Sequence, residues 1–203
     1  MAYQRARSPE HKEERREAIL AAAHELAREA SVRNVSLGDI ARRVGLAKSN
    51  LLRYFQSRED IFLTLLLREW EQWSEAAAAA PDAAGLTRTL AERPFFCDLL
   101  GEQSAVLEHN VSGETVRAFR ATSIALVHVL AAEVAAATGL REEDAFEVVA
   151  AALLLAAGLY PLTNPAPHVI AIYAEEPGLL QPEFEGRLRN LLDAVIAGFR
   201  TRA

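Results

Sequence analysis

The sequence has one cysteine, one methionine and few long uninterrupted apolar runs. The single Cys97 excludes an internal disulfide and is typical of a reducing compartment, which predicts a cytoplasmic protein. The longest apolar segment, residues 148–162, contains glycine and proline and is shorter than the roughly 20 residues of a membrane-spanning helix. Residues 1–18 are polar and charged, so we expect neither a secretory signal nor a membrane partner.

The signatures of common enzyme classes are also missing. The sequence contains no G-x-S-x-G, no P-loop and no GxGxxG. Its histidines have no metal-ligand spacing with one another or with the lone cysteine. They are His11, His24, His109, His128 and His168. We therefore predict no catalytic residue, no metal site and no cofactor.

Negative charge dominates, but unevenly. Residues 1–60 hold 12 Arg and Lys against 9 Asp and Glu, whereas residues 61–203 hold 10 against 19. This asymmetry predicts that the N-terminal part faces a polyanion. Charge alone is equally consistent with chance clustering on a solvated surface.

The N-terminal part contains start and stop signals for three helices. A first amphipathic helix is predicted from Pro9, capped by Ser8, to about Ala30. Ser36 and a carboxylate three residues later then form a variant capping box, and Gly45 supplies the positive φ that ends a second helix. A third helix follows at once. This spacing predicts a helix-turn-helix, whose second helix lies in the major groove of DNA.

The third helix offers side chains that can hydrogen-bond to DNA. With Ala47, Leu51 and Phe55 facing inward, its outward face carries groups suited to phosphate, guanine or adenine. A fourth helix begins at Ser57, and its positive N-terminus favours phosphate near Arg58. The predicted DNA-binding residues are Ser36, Lys48, Ser49, Asn50, Arg53, Tyr54 and Arg58.

The segment "DIARRVGLAKSNLLRYFQSREDIF", together with its flanks over residues 13–65, resembles the DNA-binding domain of the TetR family of transcriptional regulators. The resemblance implies an all-α protein in which a three-helix helix-turn-helix head is followed by a helical ligand-binding and dimerisation body. We expect the head at residues 1–57 and the body at residues 58–203. It also implies that the long helix after Ile61 couples body to head.

Several positions depart from the family pattern. Ala47 replaces a common capping serine, and Ser31 replaces the glycine usual after the first helix. Leu52 stands where an aromatic residue commonly touches the DNA backbone, and Arg53 stands where histidine is frequent. We therefore move part of the expected phosphate contact to Arg53 and Tyr54.

Glycines and prolines divide the rest of the chain into further helices. We predict them near 61–79, 83–93, 94–110, 113–138, 142–160 and 183–202, with a helical turn around 169–174 in the irregular segment 161–178. Aromatic and aliphatic residues of these helices would line an apolar ligand cavity, although a filled core would use the same residues. The predicted ligand-binding residues are Trp73, Phe96, Leu100, Phe119, Ser123, Val127 and Tyr160. Further candidates are Phe95, Leu99, Leu107, His109, Leu126 and His128.

Two helices have the character of an interface. In the resembled family the two final long helices pair as a four-helix bundle, so we expect a homodimer through helices 142–160 and 183–202. The alternative is that both apolar stripes pack only within one chain. The stripe of small residues is Val149, Ala150, Leu153, Ala156 and Ala157. The larger stripe is Phe184, Leu188, Leu191, Leu192, Val195 and Phe199.

These patterns and the resemblance to the TetR family together imply a homodimeric repressor that binds a palindromic double-stranded DNA operator and is released by a largely apolar small molecule. A second hypothesis is a DNA-organising or cell-cycle protein that uses the same head without an effector. A third, a helical enzyme with an apolar cavity, is disfavoured by the missing motifs.

Overall fold

A computed structural model describes residues 9–176 and 183–202. Within those residues the chain forms ten α-helices and no strand. The N-terminal helices are α1 (Pro9–Ala30), α2 (Leu37–Arg43) and α3 (Lys48–Leu51). The others are α4 (Arg58–Ala78), α5 (Ala83–Ala91), α6 (Pro94–Glu102), α7 (Gly113–Thr138), α8 (Glu142–Thr163), α9 (Pro167–Glu175) and α10 (Phe184–Arg200).

The head is held by apolar residues that α1, α2, α3 and α4 contribute to one core. Ile19, Ile40, Leu51 and Phe62 are at most 1% exposed. Gly45 has a φ of 67°, as predicted, which ends α2 and turns the chain into α3 at little steric cost. Because α2 and α3 are short, they depend on this shared burial for their stability.

The capping box at the start of α2 has the predicted geometry. Asp39 accepts hydrogen bonds from the Ser36 hydroxyl (2.5 Å), the Ser36 amide (3.0 Å) and Arg42 (2.9 Å). The two Ser36 bonds and the Arg42 bond lower the pKa of Asp39 from 3.8 to about 2. The ionised carboxylate therefore stabilises the head.

This depressed pKa predicts a pH-dependent mutant effect. Because the folded pKa of Asp39 lies below its unfolded value, its contribution is present above pH 3.8 and is lost as the pH falls through about 2. We expect Asp39→Asn to lower the free energy of unfolding at neutral pH, and the difference from wild type to shrink in acid. Urea unfolding over a pH series measures this. A difference that is constant with pH would contradict it.

The body is a helical bundle around α8, which packs against α6, α7 and α10. The connecting helix α4 packs against α5, α6 and α7, and also against α1 of the head. α7 and α8 have the length and apolar composition of membrane-spanning helices. Each, however, contributes to the interior of this bundle, where Val134, Val148 and Ala156 are fully buried.

Four helix boundaries differ from expectation. α3 ends at Leu51, and a turn closed by Tyr54 N to Leu51 O (2.9 Å) carries Phe55 into the core. α6 ends at Glu102 and passes into a π-helical turn, Gln103–Leu107, that leaves Leu107 fully buried. α8 continues through Pro161, because a proline in the last turn removes only one intrahelical hydrogen bond. The segment 167–175 is a complete helix.

Individual positions before and between the helices also differ from expectation or fall outside the described residues. Ala47 is exposed rather than buried, because it is the residue that precedes α3 and not part of its inner face. It provides no side-chain cap, as its departure from the family pattern predicted. Ser8, Gly178 and Pro182, to which we assigned a cap or a break, lie outside the described residues.

Head and body meet at a strained joint after α1. Ser31 has φ 68° and ψ 149°, and among the described residues it is the one non-glycine with positive φ. The Asp98 carboxylate of α6 holds it by accepting bonds from the Ser31 hydroxyl (3.1 Å) and the Val32 amide (2.7 Å). Beside it, Arg33 donates to Glu102 at 2.7 Å. Burial raises the pKa of Asp98.

The strain at Ser31 predicts an unusual ranking of two variants. Both Ser31→Ala and Ser31→Gly remove the bond to Asp98, but only glycine adopts this φ and ψ without strain. The relief is partly offset by the entropy of glycine in the unfolded chain. We expect Ser31→Gly to be more stable than Ser31→Ala by about 1 kcal/mol in urea unfolding. Equal stability of the two variants would refute the strain.

Candidate nucleic-acid interface

The five cations of the helix-turn-helix segment divide into two groups. Arg42 pairs with Asp39, and Arg43 pairs with two glutamates of α1 at 2.9 and 3.2 Å. Arg58 is also engaged within the chain. Lys48 and Arg53 are exposed and form no ion pair with any residue that the structure describes. Positive charge for an external anion is therefore concentrated at α3 and its C-terminal turn.

The outward face of α3 is as predicted from the sequence. Lys48, Ser49, Asn50 and Arg53 are all exposed, while Leu51 behind them is fully buried. The backbone is thereby fixed and the polar side chains project from it. Such a helix presents donors and acceptors that can read base edges in a major groove.

Ser36 contributes differently from the prediction. Its hydroxyl donates to Asp39 and accepts from the Asp39 amide at 3.2 Å, so the hydroxyl proton is already used. A phosphate near the start of α2 would therefore meet backbone amides rather than this hydroxyl. Ser36 is exposed, and its side chain caps the N-terminus of α2.

Arg58 was predicted as a phosphate ligand, but its side chain binds within the chain. Its guanidinium donates to the backbone carbonyls of Val32 and Val35, pairs with Glu59 at 3.1 Å, and lies 4.9 Å from the centre of the Phe62 ring. Only 13% of the side chain is exposed. The favourable helix N-terminus is present, but Arg58 fastens the loop after α1 to α4 instead of facing outward.

A groove of about 560 Å³ beside α3 adds residues that the sequence reasoning missed. Its walls include Lys12 and Arg15 of α1, together with Asn50, Arg53 and Tyr54. Lys12 and Arg15 are exposed and stand three apart, so they lie on the same side of α1. This three-residue spacing is visible in the sequence and could have identified Lys12 and Arg15 as neighbours on one face of the helix. The groove combines three cations with amide and phenol groups, a composition that suits a phosphate chain.

The predicted ligand residues form a packed interior. Trp73 and Phe96 are fully buried with ring centres 5.7 Å apart, and Trp70 lies edge-on to both. Leu100, Phe119, Ser123 and Val127 are also buried, whereas Tyr160 is half-buried against Phe184 at 6.2 Å. Phe119 lines an open groove of about 460 Å³ between α4 and α7. The cavity expected from the sequence is thus filled by its own side chains.

Unpaired polar atoms lie on the α4 side of this interior. Trp70 Nε1 and Ser74 Oγ are buried and have no hydrogen-bond partner within the described residues. The two residues are four apart and therefore share one face of α4. Trp73, in contrast, donates to Thr89 at 3.1 Å. A buried donor without an acceptor is destabilising.

Comparison with known proteins agrees with the fold. A family model described as bacterial regulatory proteins, tetR family, matches residues 19–65. A second model, described as tetracyclin repressor-like, C-terminal domain, matches residues 61–203. The chain therefore belongs to the TetR family, and it is a DNA-binding transcriptional regulator with a helical ligand-binding body. Members of this family are in general not enzymes.

Solved structures share the fold at low sequence identity. A TetR/AcrR family regulator from Thermobifida fusca YX-ER1 is 24% identical with a TM-score of 0.52, covering 92% of this chain and 99% of that chain. A regulator from Rhodococcus sp. Rha1 is 17% identical with a TM-score of 0.54, covering 93% and 97%. The TetR family repressor AlkX from Dietzia sp. is 12% identical with a TM-score of 0.53, covering 92% and 95%. No curated protein sequence matches the chain.

Proposed function

We propose that this protein is a cytoplasmic repressor that binds a palindromic operator as a homodimer and is released by a small-molecule effector. The head, residues 1–57, reads DNA, and the body, residues 58–203, dimerises and senses the effector. The exposed, unpaired cationic face of α3 is the observation that carries the proposal.

DNA recognition divides between reading and positioning residues. Lys48, Ser49 and Asn50 project from α3 and are placed to meet base edges, with asparagine suited to adenine. Arg53 and Tyr54 line the groove that also holds the cations of α1, so they suit the flanking phosphates. Phosphate contacts fix the register in which α3 reads the sequence.

The proposed dimer uses a different face of α8 from the predicted one. Val149, Leu153 and Ala156 are buried inside the single chain, since this stripe packs against neighbouring helices. The outward side instead carries Leu154, which is 74% exposed, and Gly158, which has open space beside it. A glycine there lets a partner helix approach closely.

The outward side of α10 has the same character. It carries Leu191, which is 39% exposed, and Gly198, which also faces open space. Of the other predicted stripe residues, Leu188 and Leu192 are fully buried within the chain, whereas Phe184, Val195 and Phe199 are half-buried. α8 and α10 of two copies could then form the four-helix interface, with two α3 helices presented to successive major grooves.

The effector would act by differential affinity. A ligand with an apolar body and an acceptor group would satisfy Trp70 and Ser74 by displacing part of the packed interior against α4. Since α4 also packs against α1, its movement would change the spacing or tilt of the heads. A coupling of about 1–3 kcal/mol changes operator occupancy five- to 150-fold.

Genome-wide mapping of bound DNA, followed by binding assays on the recovered sites, tests this function. The expected result is a small number of sites that share an inverted repeat. Metabolites handled by adjacent genes would then be tested for release of the protein from these sites. Sites without a shared sequence would refute operator recognition.

The closed interior favours a second function, an effector-independent DNA-organising protein. Trp73 and Phe96 are fully buried and lie against each other in the expected cavity. Such a protein would occupy many genomic sites and would not be released by any metabolite. The same mapping experiment separates the two functions by the number of sites.

A further inference from the structure

The proposed reading helix α3 is short and receives little support from its own ends. It contains four residues, and Ala47 before it provides no side-chain cap. After Leu51 the chain continues in a turn, in which the Arg53 amide donates to the Asn50 carbonyl and the Tyr54 amide donates to the Leu51 carbonyl. A helix of one turn is unstable by itself, so contacts from other helices must fix its orientation.

Arg16 of α1 holds the turn that follows α3. Its guanidinium donates to the backbone carbonyl of Tyr54 at 2.6 Å and lies 4.2 Å from the centre of the Phe55 ring. Phe55 is 1% exposed, so its ring is a fixed support. A cation at this distance from an aromatic face is attracted to it, and a charged donor strengthens a hydrogen bond to a carbonyl. One side chain therefore fixes two consecutive residues of the turn.

Arg16 differs in its surroundings from the cations assigned to phosphate. Only 30% of its side chain is exposed, whereas Arg15 beside it is exposed. Among the described residues, Arg15 lines the groove next to α3 together with Arg53 and Tyr54, and Arg16 does not. Because its guanidinium is already engaged with the turn, Arg16 is poorly placed to bind DNA directly.

The turn that Arg16 holds connects the two kinds of proposed DNA contact. Arg53 and Tyr54, which suit phosphate, lie within it, and Asn50, which suits a base, accepts one of its backbone bonds. A shift of the turn would therefore move the phosphate contacts relative to the base contacts. Base hydrogen bonds depend on distance and angle, so such a shift lowers the affinity for the correct sequence more than the affinity for random DNA.

We propose that Arg16 is a positioning residue for DNA reading. It binds no DNA itself, but it holds residues 52–55 so that α3 keeps the orientation needed in the major groove. This role rests on operator recognition by α3 in the proposed function, and it adds a residue of α1 that acts through the turn.

Anisotropy titrations of Arg16→Met over a salt series test this role. The probes are a duplex recovered by the mapping experiment and a random duplex of equal length. We expect the Kd for the recovered duplex to rise about tenfold, which corresponds to the loss of about one base contact. The Kd for the random duplex and the salt slope should stay near those of wild type. Arg16→Lys should recover most of the affinity, since an ammonium can still donate to Tyr54 and lie over Phe55.

Two matched variants separate positioning from charge and from stability. Arg15→Met removes the same charge one position earlier, and because Arg15 lines the groove, it should weaken both duplexes and make the salt slope shallower by about 0.9. Arg93→Met removes an arginine of the body that is 25% exposed, pairs with Glu69 at 3.2 Å and donates to the Gln72 carbonyl at 3.4 Å. Its Kd for the recovered duplex should equal that of wild type. Thermal unfolding checks that every variant is folded at the assay temperature.

Hydrogen exchange without DNA gives a second readout. The amides of residues 53–55 should exchange faster in Arg16→Met, whereas those of the body should not change. A shallower salt slope with equal losses on both duplexes would make Arg16 a phosphate ligand and overturn the positioning role, and so would an unchanged Kd for the recovered duplex. A wild-type protein that does not distinguish the two duplexes would remove the proposed function, and this role with it.

Discussion

Replacing Lys48 and Arg53 together by alanine should abolish most operator binding while leaving the fold intact. Both side chains are exposed and have no ion-pair partner in the described part of the chain, and the Lys48 side chain lies only over the partly exposed glycine Gly38, so the fold should be kept. Each contact to DNA contributes about 1–3 kcal/mol, and the double variant should therefore lose at least about 30-fold in affinity. Fluorescence anisotropy with labelled operator measures the loss.

The salt dependence separates the two roles within this pair. The slope of log K against log salt is negative, and each phosphate contact that is removed makes it shallower by about 0.9. If Arg53 holds phosphate and Lys48 reads a base, Arg53→Ala should reduce the slope, whereas Lys48→Ala should change the preference for one base pair.

A matched control removes the same charge from the body. Arg88 and Arg189 are exposed and pair with glutamate and aspartate one turn away on their own helices. Arg88→Ala/Arg189→Ala should therefore bind the operator almost as wild type does. Equal losses in the two double variants would show that net charge, and not the face of α3, controls affinity.

Replacing Arg58 by alanine should destabilise the protein by about 2–4 kcal/mol, because two backbone carbonyls lose charged hydrogen-bond donors at a buried site. The stacking of the guanidinium on Phe62 is lost as well. Arg58→Lys should be intermediate, since one ammonium cannot span both the Val32 and Val35 carbonyls as a guanidinium does. Urea unfolding of the three proteins measures this ranking.

The Arg58 series also tests the correction of its predicted role. At a temperature where Arg58→Lys is fully folded, its operator affinity should stay within a few-fold of wild type. A stable Arg58→Ala protein with greatly weakened DNA binding would instead restore Arg58 as a phosphate contact.

The sequence predicted the head best because its signals are local. The cap at Ser36, the positive φ at Gly45 and the four-residue spacing of Leu51 and Phe55 each act within a few residues, and each appears in the structure. Arg58 was misassigned because its partners, Val32 and Val35, are more than 20 positions away. Nothing in its immediate sequence indicates those carbonyls.

The body was harder to predict because its helices are apolar on more than one side. In α8 the periodicity correctly indicated an apolar stripe, but Val149 and Ala156 lie inside the chain and Leu154 lies outside it. Choosing between these faces requires the positions of the neighbouring helices. The same limit applied to Trp73 and Phe96, whose residue types suit both a ligand pocket and a filled core.

Binding of the purified protein to duplexes that carry one or two copies of a recovered half-site tests the central claim most directly. We expect two protomers on the inverted repeat, strong competition by the same sequence, and little competition by random duplex. Binding that is equal on all duplexes, or one protomer per inverted repeat, would contradict a symmetric pair of α3 helices reading a palindrome.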